Sequence, residues 1–252
     1  IERRFPNATA KIRAVAPYLP ELSHDPRYRV RIGKELAFRP KRIYIEEGAK
    51  GSFVARRFRE HFPDARVITI SSLKEFNKKR QYSLADYNNR RDNIFIVSQP
   101  SDFFKACPCT GGALSCGYHI CNIGAGGVYE CVYCYLQEYN NAPGIIVPSN
   151  IDDFFRAFQK YGHPARLGSG EFTDSLALDH ITESSPLIAE FFKRYPGSVF
   201  EFKTKSDNVG NLIKAGPAKN IVVSWSLNPQ KIIGDNEFYT VSLKRRFAAA
   251  GA

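Results

Sequence analysis

The sequence lacks any long apolar run. Its 252 residues contain no uninterrupted hydrophobic stretch of the roughly 18 residues that a membrane-spanning helix needs, so no membrane anchor is expected. Residues 1–10 carry charges and no apolar centre, so no secretory leader is predicted and a cytoplasmic location is expected. Because thiols stay reduced in that compartment, clustered cysteines there favour metal binding over disulfides.

The sequence is also short of acidic residues. Its 25 Asp and Glu residues against 36 Lys and Arg residues give a formal net charge of +11. Such a surplus favours a polyanionic partner, with nucleic acid ahead of an anionic membrane, although a generally basic surface without a specific partner would explain it too. Charged residues make up 24% and hydrophobic residues 43% of the chain, which excludes wholesale disorder.

Internal repeats and low-complexity tracts are absent, and the chain shows two regions in which strand and helix patterns alternate. In the first region the predicted strands are 42–46, 66–70 and 93–98, and the predicted helix is 52–62. In the second region the predicted helices are 151–161, 186–195, 208–215 and 242–250, and the predicted strands are 166–168, 199–203 and 220–226. Alternation of this kind predicts an α/β fold with a parallel sheet. We predict a basic N-terminal α/β domain over residues 1–105 and a second domain over 106–252, short of the strands that a closed barrel needs.

A glycine-rich stretch, residues 101–135, is predicted to be a loop built around a bound group. It holds all six cysteines of the chain, Cys107, Cys109, Cys116, Cys121, Cys131 and Cys134. Two residues separate the last pair, so both sulfurs can reach one metal centre from a tight turn. The spacing alone leaves structural zinc and a catalytic iron–sulfur cluster equally open. A redox dithiol and buried structural cysteines explain less of the pattern.

The segment Cys131–Gln137, C-V-Y-C-Y-L-Q, resembles the cluster loop of the spore photoproduct lyase family of radical S-adenosylmethionine (SAM) enzymes. Gly168–His180, Phe202–Val209 and Val222–Pro229 match further motifs of that family in the same order, so the resemblance covers residues 40–252. It implies a partial (β/α)6 radical SAM barrel with a small N-terminal α/β domain. It also implies a 4Fe-4S cluster that cleaves SAM to a 5′-deoxyadenosyl radical, and an electron donor such as flavodoxin or ferredoxin.

Two positions depart from the family pattern. The family's cluster motif is C-x3-C-x2-C, but Gly127 stands four residues before Cys131. The third ligand must then come from elsewhere, and we predict Cys121 together with Cys131 and Cys134. The alternative is that a residue is lost or substituted at this position and the site is partly disabled. Spore photoproduct lyase also uses a cysteine as hydrogen-atom donor at the position that Glu171 occupies here, and a carboxylate cannot donate a hydrogen atom as a thiol does.

The resemblance places Thr173, Lys205 and Ser226 at positions that contact SAM. We add Asp174 and Asn228, polar residues of the same motifs, to the predicted cofactor-binding set. Lys205 would pair with the SAM carboxylate, whereas a solvated surface lysine is the alternative. Turn formation or capping is the alternative for Asp174, and a strand-end turn is the alternative for Ser226 and Asn228.

Glu171 and Tyr133 are the predicted catalytic residues. Glu171 would meet a cation or the ribose hydroxyls of SAM, and helix capping is its alternative. Tyr133 and Tyr135 flank Cys134, where they would shield the cluster or contact substrate, and core packing explains them equally well.

Short basic runs with aromatic residues nearby suit phosphate contact and base stacking, although a solvated helix face explains each run alone just as well. They include Lys78-Lys79-Arg80, with Tyr82 and Tyr87 following, and Lys244-Arg245-Arg246. The leading hypothesis is therefore a radical SAM enzyme that acts on a nucleobase in DNA or RNA, in lyase-type lesion repair or in modification. A radical SAM enzyme on a peptide or small molecule, and a non-enzymatic zinc-binding nucleic-acid module, are the alternatives.

Overall fold

The structure is a computed structural model that describes residues 38–79, 83, 86, 88–99, 103–109, 112, 114, 116–134, 136 and 142–252. These residues belong to one compact unit. The predictions made for residues 1–37 and for Arg80, Tyr82, Tyr87 and Tyr135 lie outside them. Within the described ranges, none of the helices has both the length and the hydrophobicity that crossing a lipid bilayer requires.

Strands and helices alternate along most of the chain. The strands are β1 (Arg42–Glu46), β2 (Arg66–Ile70), β3 (Asn93–Val97), β4 (Phe104–Ala106), β5 (Tyr118–Cys121), β6 (Glu130–Cys131), β7 (Ile145–Pro148), β8 (Arg166–Ser169), β9 (Val199–Thr204), β10 (Ile221–Trp225) and β11 (Glu237–Phe238). The helices are α1 (Phe53–His61), α2 (Leu73–Lys78), α3 (Ile151–Tyr161), α4 (Asp179–Thr182), α5 (Ser184–Lys193), α6 (Gly210–Ala215), α7 (Gln230–Asn236) and α8 (Leu243–Ala250).

The first sheet is parallel throughout and has the strand order β2-β1-β3-β7. Every residue of β3, N-I-F-I-V, is buried, as expected for a strand that is covered on both faces. One face packs Ile43 and Ile96 against Phe58 of α1. On the other face Phe95 stacks on Tyr44, with ring centroids 4.5 Å apart. Helix α1 begins where predicted, because the Ser52 side chain accepts the Ala55 N–H at 3.1 Å and so caps it.

The second sheet has the order β10-β9-β8-β5-β4, in which only β4 pairs antiparallel with its neighbour. Side chains alternate across this sheet. Leu167, Phe200 and Phe202 point to one face and form an aromatic core with α3, α5 and α6. The opposite face carries Tyr118 and Glu201, whose side chains are hydrogen bonded to each other at 2.8 Å. The α/β class with parallel sheets is therefore confirmed.

The interpretation of residues 101–135 as a loop was wrong in part. The stretch contains β4, β5 and β6, and β6 pairs antiparallel with β11. The glycines and cysteines concealed these strands, because each has at most four residues and so gives little periodicity. The domain boundary at residue 105 stays a prediction, although β7, from the second predicted domain, pairs with β3 of the first sheet.

Candidate functional site

A cavity of about 340 Å³ lies at the carboxyl ends of β8, β9 and β10 of the second sheet, and residues of α2 and β7 line it as well. Open α/β sheets bind ligands at this edge, because the loops that follow parallel strands meet there. The cavity is lined by Leu73, Asn77, Arg90, Ala125, Gly126, Gly127, Tyr129, Cys131, Cys134, Leu136, Ala142, Ile146, Gly170, Glu171, Phe172, Thr173, Asp174, Lys203, Thr204, Lys205 and Ser226. The lining includes seven of the ten side chains predicted from the sequence for catalysis, cofactor binding or metal ligation, and misses Cys121, Tyr133 and Asn228.

The cysteine pair lies on the wall of the cavity. The Cys134 N–H donates to the Cys131 carbonyl oxygen at 3.0 Å, which closes the tight turn expected from the C-x-x-C spacing. Cys131 is buried and Cys134 is half-buried. Burial raises the pKa of the Cys131 thiol to about 11, while the Lys205 ammonium acts in the opposite direction. Lys205 lines the same cavity as the cysteine pair.

Cys121 does not reach this cavity. Alternation along β5 turns its side chain to the face that α3 and α5 cover, where it is fully buried in the aromatic core. Burial there raises the pKa of the Cys121 thiol well above its ordinary value. The expected convergence of three thiols is corrected accordingly, since the structure brings Cys131 and Cys134 to the cavity and leaves Cys121 in the core. Among the described residues, no group of three or more His, Cys, Asp or Glu side chains is arranged to hold a metal ion.

Gly127, the residue that departs from the family's cysteine pattern, lines the cavity with Cys131 and Cys134. A Cβ atom built on Gly127 would lie 3.5 Å from its nearest neighbour, the Tyr129 carbonyl oxygen, which is ordinary van der Waals contact. The backbone at Gly127 is also outside the left-handed region that favours glycine. A larger residue would therefore fit here without strain.

Glu171 contributes to the cavity a carboxylate oxygen that is ion-paired with Lys105 but accepts no hydrogen bond from the described residues. Its Oε2 atom is buried and makes no hydrogen bond with the described residues, although Lys105 Nζ lies 3.4 Å away. The Lys105 ammonium also lies over the Phe172 ring, 4.9 Å from its centroid. Buried acceptors without a hydrogen bond are rare in folded proteins, so Glu171 Oε2 is a candidate atom for ligand contact.

Asp174 organises two strand ends. Its Oδ1 atom accepts the N–H groups of Leu176 and Ala177 at 3.0 and 2.9 Å, and the Thr204 hydroxyl at 2.7 Å. Its Oδ2 atom accepts the Lys205 N–H at 2.6 Å. Burial raises the pKa of Asp174, and these hydrogen bonds oppose that shift. Asp174 thus forms the turn that was the alternative to direct SAM contact, and it also fixes the backbone from which Lys205 extends.

The remaining predicted residues divide between the cavity and a neighbouring network. Thr173 and Ser226 line the cavity, and the Thr173 hydroxyl donates to the Gly126 carbonyl oxygen at 3.2 Å. Tyr133 and Asn228 do not line it. The Tyr133 hydroxyl donates to the Glu237 carboxylate, and Asn228 Nδ2 donates to Glu237 Oε1 at 2.7 Å and to the Tyr133 oxygen at 3.0 Å.

The sequence reasoning missed Glu237 and misassigned Arg246. Arg246 was read as part of a basic run that faces phosphate, but its side chain is fully buried and paired with Glu237 at 2.6 Å. Charged residues are almost never fully buried unless they are paired, and the pairing joins β11 to α8, so no local pattern in the sequence reveals it.

A cysteine pair, a lysine and polar strand-end residues thus surround one cavity at the carboxyl edge of parallel sheets, which defines a ligand-binding α/β protein. The sequence profile of the spore photoproduct lyase family matches residues 38–252. The chain is 27% identical over 224 residues to a spore photoproduct lyase of Geobacillus sp. (strain Y412MC61), covering 84% of this chain and 63% of the relative. It is 24% identical over 227 residues to that of Bacillus subtilis (strain 168), again covering 84% and 63%.

Solved structures give the same result. A spore photoproduct lyase mutant with bound AdoMet and dinucleoside spore photoproduct matches with a TM-score of 0.71 and 25% identity, over 85% of this chain and 64% of that one. Another mutant of the lyase matches with a TM-score of 0.70 and 26% identity over the same shares. The chain therefore belongs to the spore photoproduct lyase family of radical SAM proteins. It spans slightly under two thirds of the length of the relatives it matches.

Proposed function

We propose that this chain is a radical SAM enzyme that binds SAM in the strand-end cavity and acts on a nucleobase in DNA or RNA. The observation that carries the proposal is the cavity itself. It lies at the carboxyl ends of the strands, and its lining includes Cys131, Cys134, Lys205 and Glu171. The solved relative with bound AdoMet and dinucleoside spore photoproduct supports both ligand classes, SAM and nucleic acid. Repair of a lesion by a lyase-type reaction is the specific activity we propose.

The five-stranded sheet belongs in this proposal to a partial (β/α)6 barrel. Four of its strands run parallel, and the polar residues that follow β8, β9 and β10 face the cavity. Reactive groups of parallel α/β barrels lie at this end of the strands. Ile146 of β7, in the four-stranded sheet, and Leu73 and Asn77 of α2 line the cavity as well.

The chemistry of SAM fits the polar groups of the cavity. The Lys205 ammonium is available for the SAM carboxylate, and the Ser226 hydroxyl and Thr173 are available for its polar edges. Glu171 Oε2, which lacks a hydrogen bond with the described residues, would accept one from the SAM amine or from a ribose hydroxyl. Tyr129 and Phe172 provide the apolar surface that keeps water from the bound ligand.

The donor set for a 4Fe-4S cluster is one thiol short in this cavity. A cluster of that kind supplies the electron that cleaves SAM and is held by cysteine thiolates. Cys131 and Cys134 fit two of the three ligands expected, Gly127 carries no donor, and Cys121 would have to leave the aromatic core to join them. We propose Cys131 and Cys134 as ligands.

The positive charges of lysines in and beside the cavity lining favour nucleic acid as the partner. Asn77 lines the cavity, and the exposed residues Lys78 and Lys79 follow it directly. Lys203 and Lys205 also line the cavity, whereas Arg90 in its lining is buried and paired with Glu130 at 3.2 Å. Because phosphate contacts from Lys and Arg supply most of non-specific nucleic-acid affinity, a strand laid across these lysines would bring a base to the cavity. A cytoplasmic location and a flavodoxin or ferredoxin electron donor belong to the same proposal.

Anaerobic reconstitution with ferrous iron and sulfide tests the proposal. We expect bound iron, and formation of 5′-deoxyadenosine from SAM after reduction with dithionite. Cys131→Ala and Cys134→Ala should lose both, whereas Cys109→Ala, at an exposed cysteine outside the cavity, should retain both. A colourless protein with stoichiometric zinc and no SAM cleavage would overturn the proposal in favour of a zinc-binding nucleic-acid module. SAM cleavage without binding to any DNA or RNA would overturn the nucleobase substrate.

A further inference from the structure

A buried ion pair lies directly behind the cysteine loop. Arg246 on α8 and Glu237 on β11 are joined at 2.6 Å, and both side chains are inaccessible to solvent. Arg246 also donates to the Val241 carbonyl oxygen at 3.1 Å, the Thr240 hydroxyl at 2.9 Å and the Ser226 carbonyl oxygen at 2.7 Å. The arginine therefore holds the end of β10, where Ser226 enters the cavity.

Glu237 connects the same pair to the cysteines. Its backbone pairs with Cys131 in the β6–β11 ladder, and its Oε1 atom accepts from the Tyr133 hydroxyl and from Asn228. Tyr133 lies between Cys131 and Cys134, so its hydroxyl bond fixes the middle of the C-x-x-C turn. One more contact, from the Val132 N–H to the Asn236 carbonyl oxygen at 2.9 Å, ties the turn to the end of α7.

We propose that Glu237 and Arg246 are positioning residues for the cavity, which hold Cys131, Cys134 and Ser226 in their relative places through Tyr133 and Asn228. The inference rests on the proposed role of the cysteine pair as metal ligands. A buried pair is a weak source of stability, since removing both charges costs little in some proteins. Its value here is geometric, because one carboxylate and one guanidinium join the C-x-x-C turn and the segment from Ser226 to Asn228 to β11 and α8.

Binding of Cd²⁺ alone to the intact chain tests whether Glu237 and Arg246 position the cysteine pair. This measurement needs neither iron nor SAM nor turnover. Cadmium binds soft thiolates, so its affinity reports whether Cys131 and Cys134 are held together. Tyr133→Phe removes one hydroxyl from a half-exposed ring and leaves the ion pair in place. Glu237→Gln keeps the shape of the side chain and removes its charge. Loss of an outer residue that orients metal ligands typically lowers metal affinity about 10- to 100-fold, and we expect both variants to lose affinity on that scale.

Asp179→Asn is the matched control for stability. The Asp179 carboxylate is also buried and accepts from the Ser185 N–H at 2.8 Å and from Asn211 Nδ2 at 3.1 Å, away from the cavity. Urea unfolding of each variant gives its loss of stability independently of metal. We expect Asp179→Asn to destabilise the fold and to leave cadmium affinity unchanged. Alkylation of Cys131 and Cys134, measured by peptide mass spectrometry against exposed Cys109, should accelerate in Tyr133→Phe and Glu237→Gln only.

Two results would overturn the positioning role. One is unchanged cadmium affinity and alkylation in both Tyr133→Phe and Glu237→Gln, and the other is an equal loss in the Asp179→Asn control. Failure of the wild-type chain to bind iron or cleave SAM would instead overturn the proposed function, and it would leave the cadmium and alkylation results interpretable.

Discussion

Asp174 Oδ2 accepts the backbone N–H of Lys205 at 2.6 Å, so one carboxylate sets the point at which β9 ends and the cavity begins. We expect Asp174→Asn to lose this bond. The asparagine oxygen would still accept from Leu176, Ala177 and Thr204, so its NH2 group would face the Lys205 N–H and two donors would oppose each other. A buried donor left unpaired costs about 1–3 kcal/mol, and urea unfolding should show a loss of that size. Thr182→Ala, on α4 outside the cavity, is the comparison, and equal stabilities of Asp174→Asn and wild type would contradict the prediction.

Lys205→Ala should weaken SAM binding by about 1.5–3 kcal/mol, the range of a hydrogen bond to a charged group. The physical reason is the loss of the cation that lines the cavity beside Cys131. Isothermal titration of SAM into the reconstituted protein measures the change. Lys214→Ala removes an exposed lysine from α6 and should leave the dissociation constant as it is. An unchanged dissociation constant in Lys205→Ala would remove this residue from the binding site.

Gly127→Cys should raise the amount of iron that the chain retains after reconstitution. The substitution adds a third thiol to the wall that already holds Cys131 and Cys134, and the Cβ atom has room there. Iron and sulfide per chain, measured before and after gel filtration, check the result. Gly127→Ser adds a side chain of nearly the same size without a thiolate and should show no gain, so an equal gain in both variants would refute the thiol explanation.

Much of the fold was predictable because its elements are local. Helix α3 coincides with the predicted range 151–161, since its apolar residues recur with the helical period and its first turn is acidic. The strands β1, β2, β9 and β10 were likewise expected from alternation. For the site, the resemblance to the family's motifs predicted that Thr173, Lys205 and Ser226 contact SAM. All three line the cavity, as expected where the strand ends of a parallel sheet converge, and their contact with SAM stays a prediction.

What the sequence concealed depends on partners far along the chain. Whether Cys121 faces the cavity or the aromatic core is decided by the register of β5 in the sheet, and a shift of one residue would reverse it. Arg246 lies in a run of basic residues that resembles a solvated helix face. Its side chain is nevertheless buried, because it forms an ion pair with Glu237 on another element. Tyr133 and Asn228 were assigned to chemistry from their neighbours in sequence, whereas both hydroxyl and amide are engaged by that same carboxylate.

Glu201 should make the free energy of unfolding fall as the pH becomes acidic. Burial of Glu201 opposes its ionisation, but hydrogen bonds from Ser224 and Tyr118 and the charges of Lys203 and Arg166 outweigh burial and lower its pKa. A carboxyl group whose pKa is lower in the folded state stabilises the fold above its unfolded pKa, and this contribution is lost as the pH falls through the folded value. Urea unfolding between neutral and acid pH should therefore show a smaller acid loss in Glu201→Gln than in wild type. Glu190→Gln, at an exposed carboxylate on α5, serves as control, and equal pH profiles for all three proteins would contradict the assignment.

Lys78 and Lys79 should contribute to nucleic-acid binding through phosphate contacts. Both are exposed at the end of α2, next to Asn77 in the cavity wall, and Lys78 pairs only with the exposed Glu75 at 2.9 Å among the contacts described for it. Each neutralised phosphate releases counterions, so the logarithm of affinity falls with the logarithm of salt by about 0.9 per duplex contact and about 0.7 per single-strand contact. Replacing both lysines by alanine should flatten that slope by about one to two units and weaken binding uniformly across sequences.

Replacing Lys160 and Lys214, exposed lysines on α3 and α6 that do not line the cavity, should leave the slope nearly unchanged. Fluorescence anisotropy with labelled single-stranded and duplex DNA over a salt series measures both double variants, and a salt slope identical in the two would place the nucleic acid elsewhere on the protein.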